Sequence, residues 1–89
     1  MAQLVFTQQL ARFVEAPAVI TSATTLREAL EDAFRRYPRL RGYLLDDQGD
    51  LRQHVAVFID GRRLREPRSL DLNLSPESTI HFLQALSGG

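Results

Sequence analysis

Apolar and polar residues change their spacing several times along this chain, and each change marks an element. Gln3-Leu4-Val5-Phe6-Thr7 and Ala18-Val19-Ile20-Thr21-Ser22 are short runs rich in β-formers, separated by an Ala16-Pro17 break, and they predict a first hairpin. Thr25 with Glu28 three residues on has the form of a capping box. Leu26, Ala29, Leu30, Ala33, Phe34 and Tyr37 follow at helical spacing, which predicts an amphipathic helix ended near Pro38. Leu40 to Leu45 and Leu51 to Ile59 are apolar-bearing segments joined by Asp46-Asp47-Gln48-Gly49-Asp50, and the pattern reads as two strands with a turn between them. Strict alternation in His54-Val55-Ala56-Val57-Phe58-Ile59 turns Val55, Val57 and Ile59 toward a core and His54, Ala56 and Phe58 outward. Asp60-Gly61 is a tight-turn pair leading into Arg62-Arg63-Leu64. Leu70, Leu72 and Leu74 lie in an irregular stretch that ends at Ser75-Pro76-Glu77, and Thr79-Ile80-His81-Phe82-Leu83 closes the series as a last strand.

One helix set between a first hairpin and the remaining strands cannot build a doubly wound sheet, but it can build one sheet packed on one helix. The expected class is therefore α+β, with a mixed four- to five-stranded sheet on one main helix, in the element order of the ubiquitin-like β-grasp. Residues 1–84 form the expected domain and residues 85–89 a flexible tail ending Gly88-Gly89. At 89 residues the chain has room for a single modest core.

Composition removes several kinds of chemistry. The chain has no cysteine, which excludes disulfides, thiolate metal sites and a cysteine nucleophile. Eleven basic residues, all arginine, balance eleven acidic ones, so no net field draws the protein to nucleic acid or to an acidic membrane. No apolar run is long enough for a membrane span and no secretory signal is expected, which points to a cytoplasmic protein without nucleic-acid or membrane partners. Phosphate-binding glycine loops and the zinc-protease, serine-hydrolase and cysteine-pair signatures are all missing, so the chain is not expected to be an enzyme. His54 and His81 have no companion ligands and read as surface or structural side chains; no metal site is expected. Asp46, Asp47 and Asp50 lack the calcium-loop pattern and read as a solvated turn. The clusters Arg35 to Arg41 and Arg62 to Arg68 read as a solvated helix end and a solvated loop; if either is functional, a protein partner fits better than nucleic acid.

What remains is the end, Gln84-Ala85-Leu86-Ser87-Gly88-Gly89. Glycine makes up about 7% of residues, so a terminal pair arises by chance in only about 0.5% of chains. A carboxylate is a poor electrophile and has to become an acyl adenylate before sulfur or an amine attacks it. A partner that performs this step has to admit the terminus into a narrow channel, and glycine has no Cβ to obstruct it.

The β-grasp order, the segment Val55 to Arg62, the closing strand Ile80 to Leu83 and the terminal Ser87-Gly88-Gly89 together resemble the sulfur-carrier family that contains the small subunit of molybdopterin synthase (MoaD) and the thiamine sulfur carrier (ThiS). The long turn Leu44 to Leu51 resembles the branch that serves cysteine biosynthesis and related sulfur transfers. The resemblance implies that first and last strands lie side by side at the sheet centre. It also implies that an E1-like adenylyltransferase consumes ATP to adenylate Gly89, that a sulfur donor converts the terminus to a thiocarboxylate, and that a sulfur-accepting synthase or hydrolase takes the sulfur. No cofactor is bound by the carrier itself. Gly89 is the acyl-carrying residue, with Gly88, Ser87 and Leu86 as tail residues inside the partner. Leu83, six places before the last glycine, belongs by resemblance to an apolar docking patch on the open sheet face, to which outward alternation adds Phe58. The molybdopterin subunit commonly has an aromatic at the Leu83 position and prolines in the tail, and this chain has neither.

Two other functions share these features. A ubiquitin-like modifier has the same fold, tail and adenylation but ends in an isopeptide bond on a target lysine, and a β-grasp binding module carries an inert tail. The absence of lysine excludes chains of this protein linked through its own side chains, because a guanidinium stays protonated and offers no nucleophilic nitrogen.

Overall fold

The structure, a computed structural model, describes residues 1–7, 10, 12, 18–53, 55–64 and 70–84. The elements are β1 (Ala2–Phe6), β2 (Val19–Thr21), α1 (Leu26–Arg36), α2 (Leu40–Leu44), β3 (Val55–Ile59), β4 (Arg62–Arg63) and β5 (Thr79–Gln84). The strands form one mixed sheet in the order β2-β1-β5-β3-β4. β1 and β5 are parallel neighbours at its centre, with Leu4 opposite Ile80 and Phe6 opposite Phe82; the remaining pairings are antiparallel. The expected class, a five-stranded mixed sheet on one main helix, is the one observed.

The core lies between the sheet and α1. Phe82, Ile80, Leu4 and Val57 meet Leu26, Leu30 and Ala33 there, all essentially without solvent exposure. The Phe6 and Phe82 rings stack with centroids 5.0 Å apart. Burying each of the larger apolar side chains contributes about 1.5–3 kcal/mol, which matters in a domain of this size.

α1 starts where the sequence predicts. Thr25 is extended and its hydroxyl accepts the Glu28 N–H at 3.2 Å, while the Glu28 carboxylate accepts from the Thr24 and Thr25 hydroxyls. The first two amides of the helix, Leu26 and Arg27, donate to the carbonyls of Leu72 and Leu70 at 2.9 and 2.7 Å. Thus the irregular 70–74 stretch closes the helix start, and Leu70 and Leu74 are buried beneath it. The helix ends at Arg36, two residues before Pro38, with the Tyr37 N–H on the Ala33 carbonyl.

The strand predicted over Leu40 to Leu45 is instead the short helix α2. Leu40 and Leu44, one helical turn apart, are both buried, and the Leu40 and Arg41 amides donate to the Tyr37 and Pro38 carbonyls. Leu45 forms a single antiparallel bridge with Leu51. The strand predicted over 51–59 is correspondingly shorter and begins at Val55. Between Leu45 and Leu51 the chain makes a tight polar turn: Asp46 Oδ1 accepts the Gln48 and Asp50 amides at 2.9 and 3.0 Å, and Gly49 adopts φ +85°. The amide bonds from Asp50 and then Gln48 hold the Asp46 carboxyl below its ordinary range.

Asp60-Gly61 forms the predicted tight turn, with both residues at positive φ (52° and 87°), as a two-residue hairpin of the primed type requires. Asp60 is also tied to the first residue of β5: its amide donates to the Thr79 carbonyl, and its Oδ1 accepts the Thr79 N–H, both at 2.9 Å. This double link fixes the β3–β4 hairpin against the central strand.

Candidate carrier terminus and docking face

β5 is the element that positions the end of the chain. It pairs with β1 from Thr79 to Phe82 and with β3 from Ile80 to Gln84, and its last residue, Gln84, lies opposite Val55. The Thr7 amide and hydroxyl both reach the Phe82 carbonyl, at 3.1 and 3.2 Å, so the strand is held on both sides close to that end. Leu86, Ser87, Gly88 and Gly89, with Ala85 before them, lie outside the described residues, as does the predicted boundary after residue 84.

The pairing register shows which side chains share the face away from α1. Leu4, Phe6, Ile80, Phe82 and Val57 are buried on the helix side, so their neighbours in each strand point the other way. Val5, His81, Phe58 and Arg63 then form one row across β1, β5, β3 and β4. Leu83 and Ala56 form the next row toward the C-terminal end of β5, and Gln3 and Thr79 the row on the opposite side, with exposed Ile20 beside Gln3 on β2. The two predicted docking residues, Leu83 and Phe58, therefore share one face on adjacent strands. They are half-buried and not fully exposed. Ala56, expected to face outward, is on this face too, yet its small side chain is buried.

Val5 was not singled out by the sequence, and His81 and Arg63 were read only as a surface or structural side chain and as part of a solvated loop, not as members of this face. Alternation around Leu4 and Phe6, and around Ile80 and Phe82, is enough to turn Val5 and His81 to the open side. Only the register shows that they flank one another and Phe58. Arg63 is the one charged side chain in these rows among the described residues. His54 lies outside the described residues. Among the described residues no three histidine, aspartate or glutamate side chains converge as a metal site, and no helix is long and apolar enough to cross a membrane.

A profile of the ThiS family matches residues 4–89. The chain belongs to the ThiS family. Membership places it among the ubiquitin-like sulfur carriers and modifiers. No curated protein matches the sequence. Several solved structures share the fold at low identity. CysO in the Amycolatopsis orientalis BexX/CysO complex is 18% identical over 100% of both chains, with a TM-score of 0.85. Mycobacterium tuberculosis CysO, described as an antigen, is 18% identical over 97% of this chain and 100% of its own, with a TM-score of 0.83. SAMP1 from Haloferax volcanii is 20% identical over 99% of this chain and 98% of its own, with a TM-score of 0.79. At these identities the likeness establishes the ubiquitin-like β-grasp fold of this ThiS-family chain.

Proposed function

We propose that this protein is a sulfur carrier whose Gly89 carboxylate is activated by an E1-like adenylyltransferase. The observation that carries the reading is the position of β5. It is a central strand clamped on both sides, it ends five residues before Gly89, and an open face bearing Val5, Phe58, His81 and Leu83 lies beside its end. A partner seated on that face holds the root of the tail while the last residues enter its active site. The carboxylate oxygen of Gly89 attacks the α-phosphate of ATP and pyrophosphate leaves. Hydrosulfide supplied by the donor then attacks the acyl carbon and AMP leaves, giving the thiocarboxylate that a synthase or hydrolase consumes. Gly88, without a Cβ, lets the terminus pass a narrow channel in the partner, Ser87 and Leu86 are tail residues inside it, and ATP is bound by the partner and not by the carrier.

The test is to incubate the chain with its cognate adenylyltransferase, ATP and sulfide, and to weigh the intact product. Exchange of one carboxylate oxygen for sulfur raises the mass by about 16 Da, as expected for trapping of an activated acyl group by a sulfur nucleophile. A second reading, conjugation to another protein's lysine, has its support in the shared fold of SAMP1, a small archaeal modifier protein. Formation of conjugates alone, with no thiocarboxylate even in excess sulfide, replaces the carrier reading by the modifier reading.

A further inference from the structure

The open face accounts for the apolar residues near β5 but leaves the first arginine cluster without a use. Thr21, the last residue of β2, lies opposite Ala2 at one end of the sheet, and Val55, the first of β3, lies opposite Gln84 at the other. α1 and α2 make the passage between these ends, so the cluster at their junction approaches the end from which the tail departs. Arg52 secures it there. Its amide donates to the Leu44 carbonyl and its Nε to the Gly42 carbonyl, both at 2.9 Å, and its own carbonyl accepts the Val55 N–H at 3.1 Å.

Arg35, Arg36, Arg39 and Arg41 are all exposed, and no acidic residue occurs between positions 35 and 41. The chain as a whole is neutral, so this positive charge is a local feature. Between α1 and α2 the cluster borders an open groove of about 430 Å³ lined by Glu31, Phe34, Arg35, Pro38 and Arg41. The Arg41 guanidinium sits 5.8 Å from the centroid of the Phe34 ring, while Arg35 pairs with Asp32, whose other oxygen accepts the Thr21 hydroxyl. The groove therefore offers an aromatic wall and a rim of two arginines and one carboxylate, Glu31, with Arg36 and Arg39 adding positive charge beside it, on the helix side of the molecule, leaving the open sheet face available to a partner at the same time.

We propose that this groove is a second docking site that takes an acidic segment of the adenylating partner, located beside the mouth of the channel that receives the tail. The inference rests on the carrier reading and adds the chemistry of the partner surface. Charge complementarity selects the occupant: four arginines within seven residues repel a basic surface and attract a run of carboxylates. Exposed charges of this kind act mainly on the rate of encounter, by aligning the tail with the channel before short-range contacts form.

Stopped-flow association with the cognate adenylyltransferase tests the proposal. In low salt Arg36→Glu combined with Arg41→Glu should slow association about tenfold, and the difference should vanish in about 0.5 M salt, where screening acts within about 4 Å. Arg62→Glu, on the hairpin remote from the tail root, should change the rate less than twofold. A rate insensitive to salt, or an equal loss from Arg62→Glu, overturns the proposal. A second arm needs no enzyme: hexaglutamate added to the labelled chain in low salt should shift backbone amide signals of residues 31–41 and leave them unshifted in Arg36→Glu/Arg41→Glu. Absence of such shifts overturns the groove assignment, and tighter binding of a mixed-sequence single-stranded RNA at the same residues overturns the choice of a protein partner. Failure of any ATP-dependent activation refutes the carrier reading, and the hexaglutamate arm still decides the groove.

Discussion

The two faces of β5 are built from adjacent residues and obey different constraints. Ile80 and Phe82 point toward α1 and are fully buried, locked between Leu4 and Phe6 on one side and Val57 and Ile59 on the other. His81 and Leu83 point away and are half-buried. One face is bound by packing density, where a lost methylene is felt; the other is open to a partner, where shape and polarity decide recognition. A central strand thus carries stability and recognition in alternate residues, and substitutions can separate the two.

The largest effect is expected on the buried side. Phe82→Ala removes one ring of the Phe6 stack from the centre of the core and should cost about 3–5 kcal/mol in urea denaturation. A loss below about 1 kcal/mol would mean that the core does not depend on this face. On the open side Leu83→Asp should leave the fold intact and weaken the complex with the adenylyltransferase by about 1–2 kcal/mol, read by titration calorimetry. Unchanged affinity with verified folding removes Leu83 from the docking site. A polar turn away from both faces gives a smaller effect with a defined pH window. Because the Asp46 carboxyl is held below its ordinary range in the folded state, its contribution is present above about pH 3.9, the unfolded value, and is lost as pH falls through the lower folded value. Asp46→Asn should therefore be less stable than the parent at neutral pH, with the gap closing as urea midpoints are followed into acid; a gap independent of pH contradicts the assignment. The smallest effect on stability is expected at the end of the chain, where deletion of Gly88 and Gly89 should move Tm by less than about 2 °C while abolishing adenylation.

Legibility follows the length and regularity of each pattern. α1 was readable because a cap, six periodic apolar residues and a proline agree over three turns. Leu40 to Leu45 reads equally as a strand because six residues are too few to separate helical from extended spacing, and leucine accepts either conformation. The Asp60-Gly61 hairpin was readable because few residue pairs accept positive φ twice. Docking residues were legible one at a time: alternation turned Phe58 outward, and resemblance marked Leu83.

The sequence by itself determined the first hairpin, the main helix and its start, the primed turn, the closing strand, the absence of lysine and cysteine, and the Gly88-Gly89 pair, because each is a local or compositional property. Only the tertiary structure decided that β1 and β5 pair in parallel at the sheet centre, that Val5, His81, Phe58 and Arg63 form one row, and that Arg35 and Arg41 line one groove with Phe34. Those relations join residues up to 76 positions apart, Val5 and His81 among them. Their energy comes from strand register and from burial against a shared core, which no local pattern in a single chain encodes.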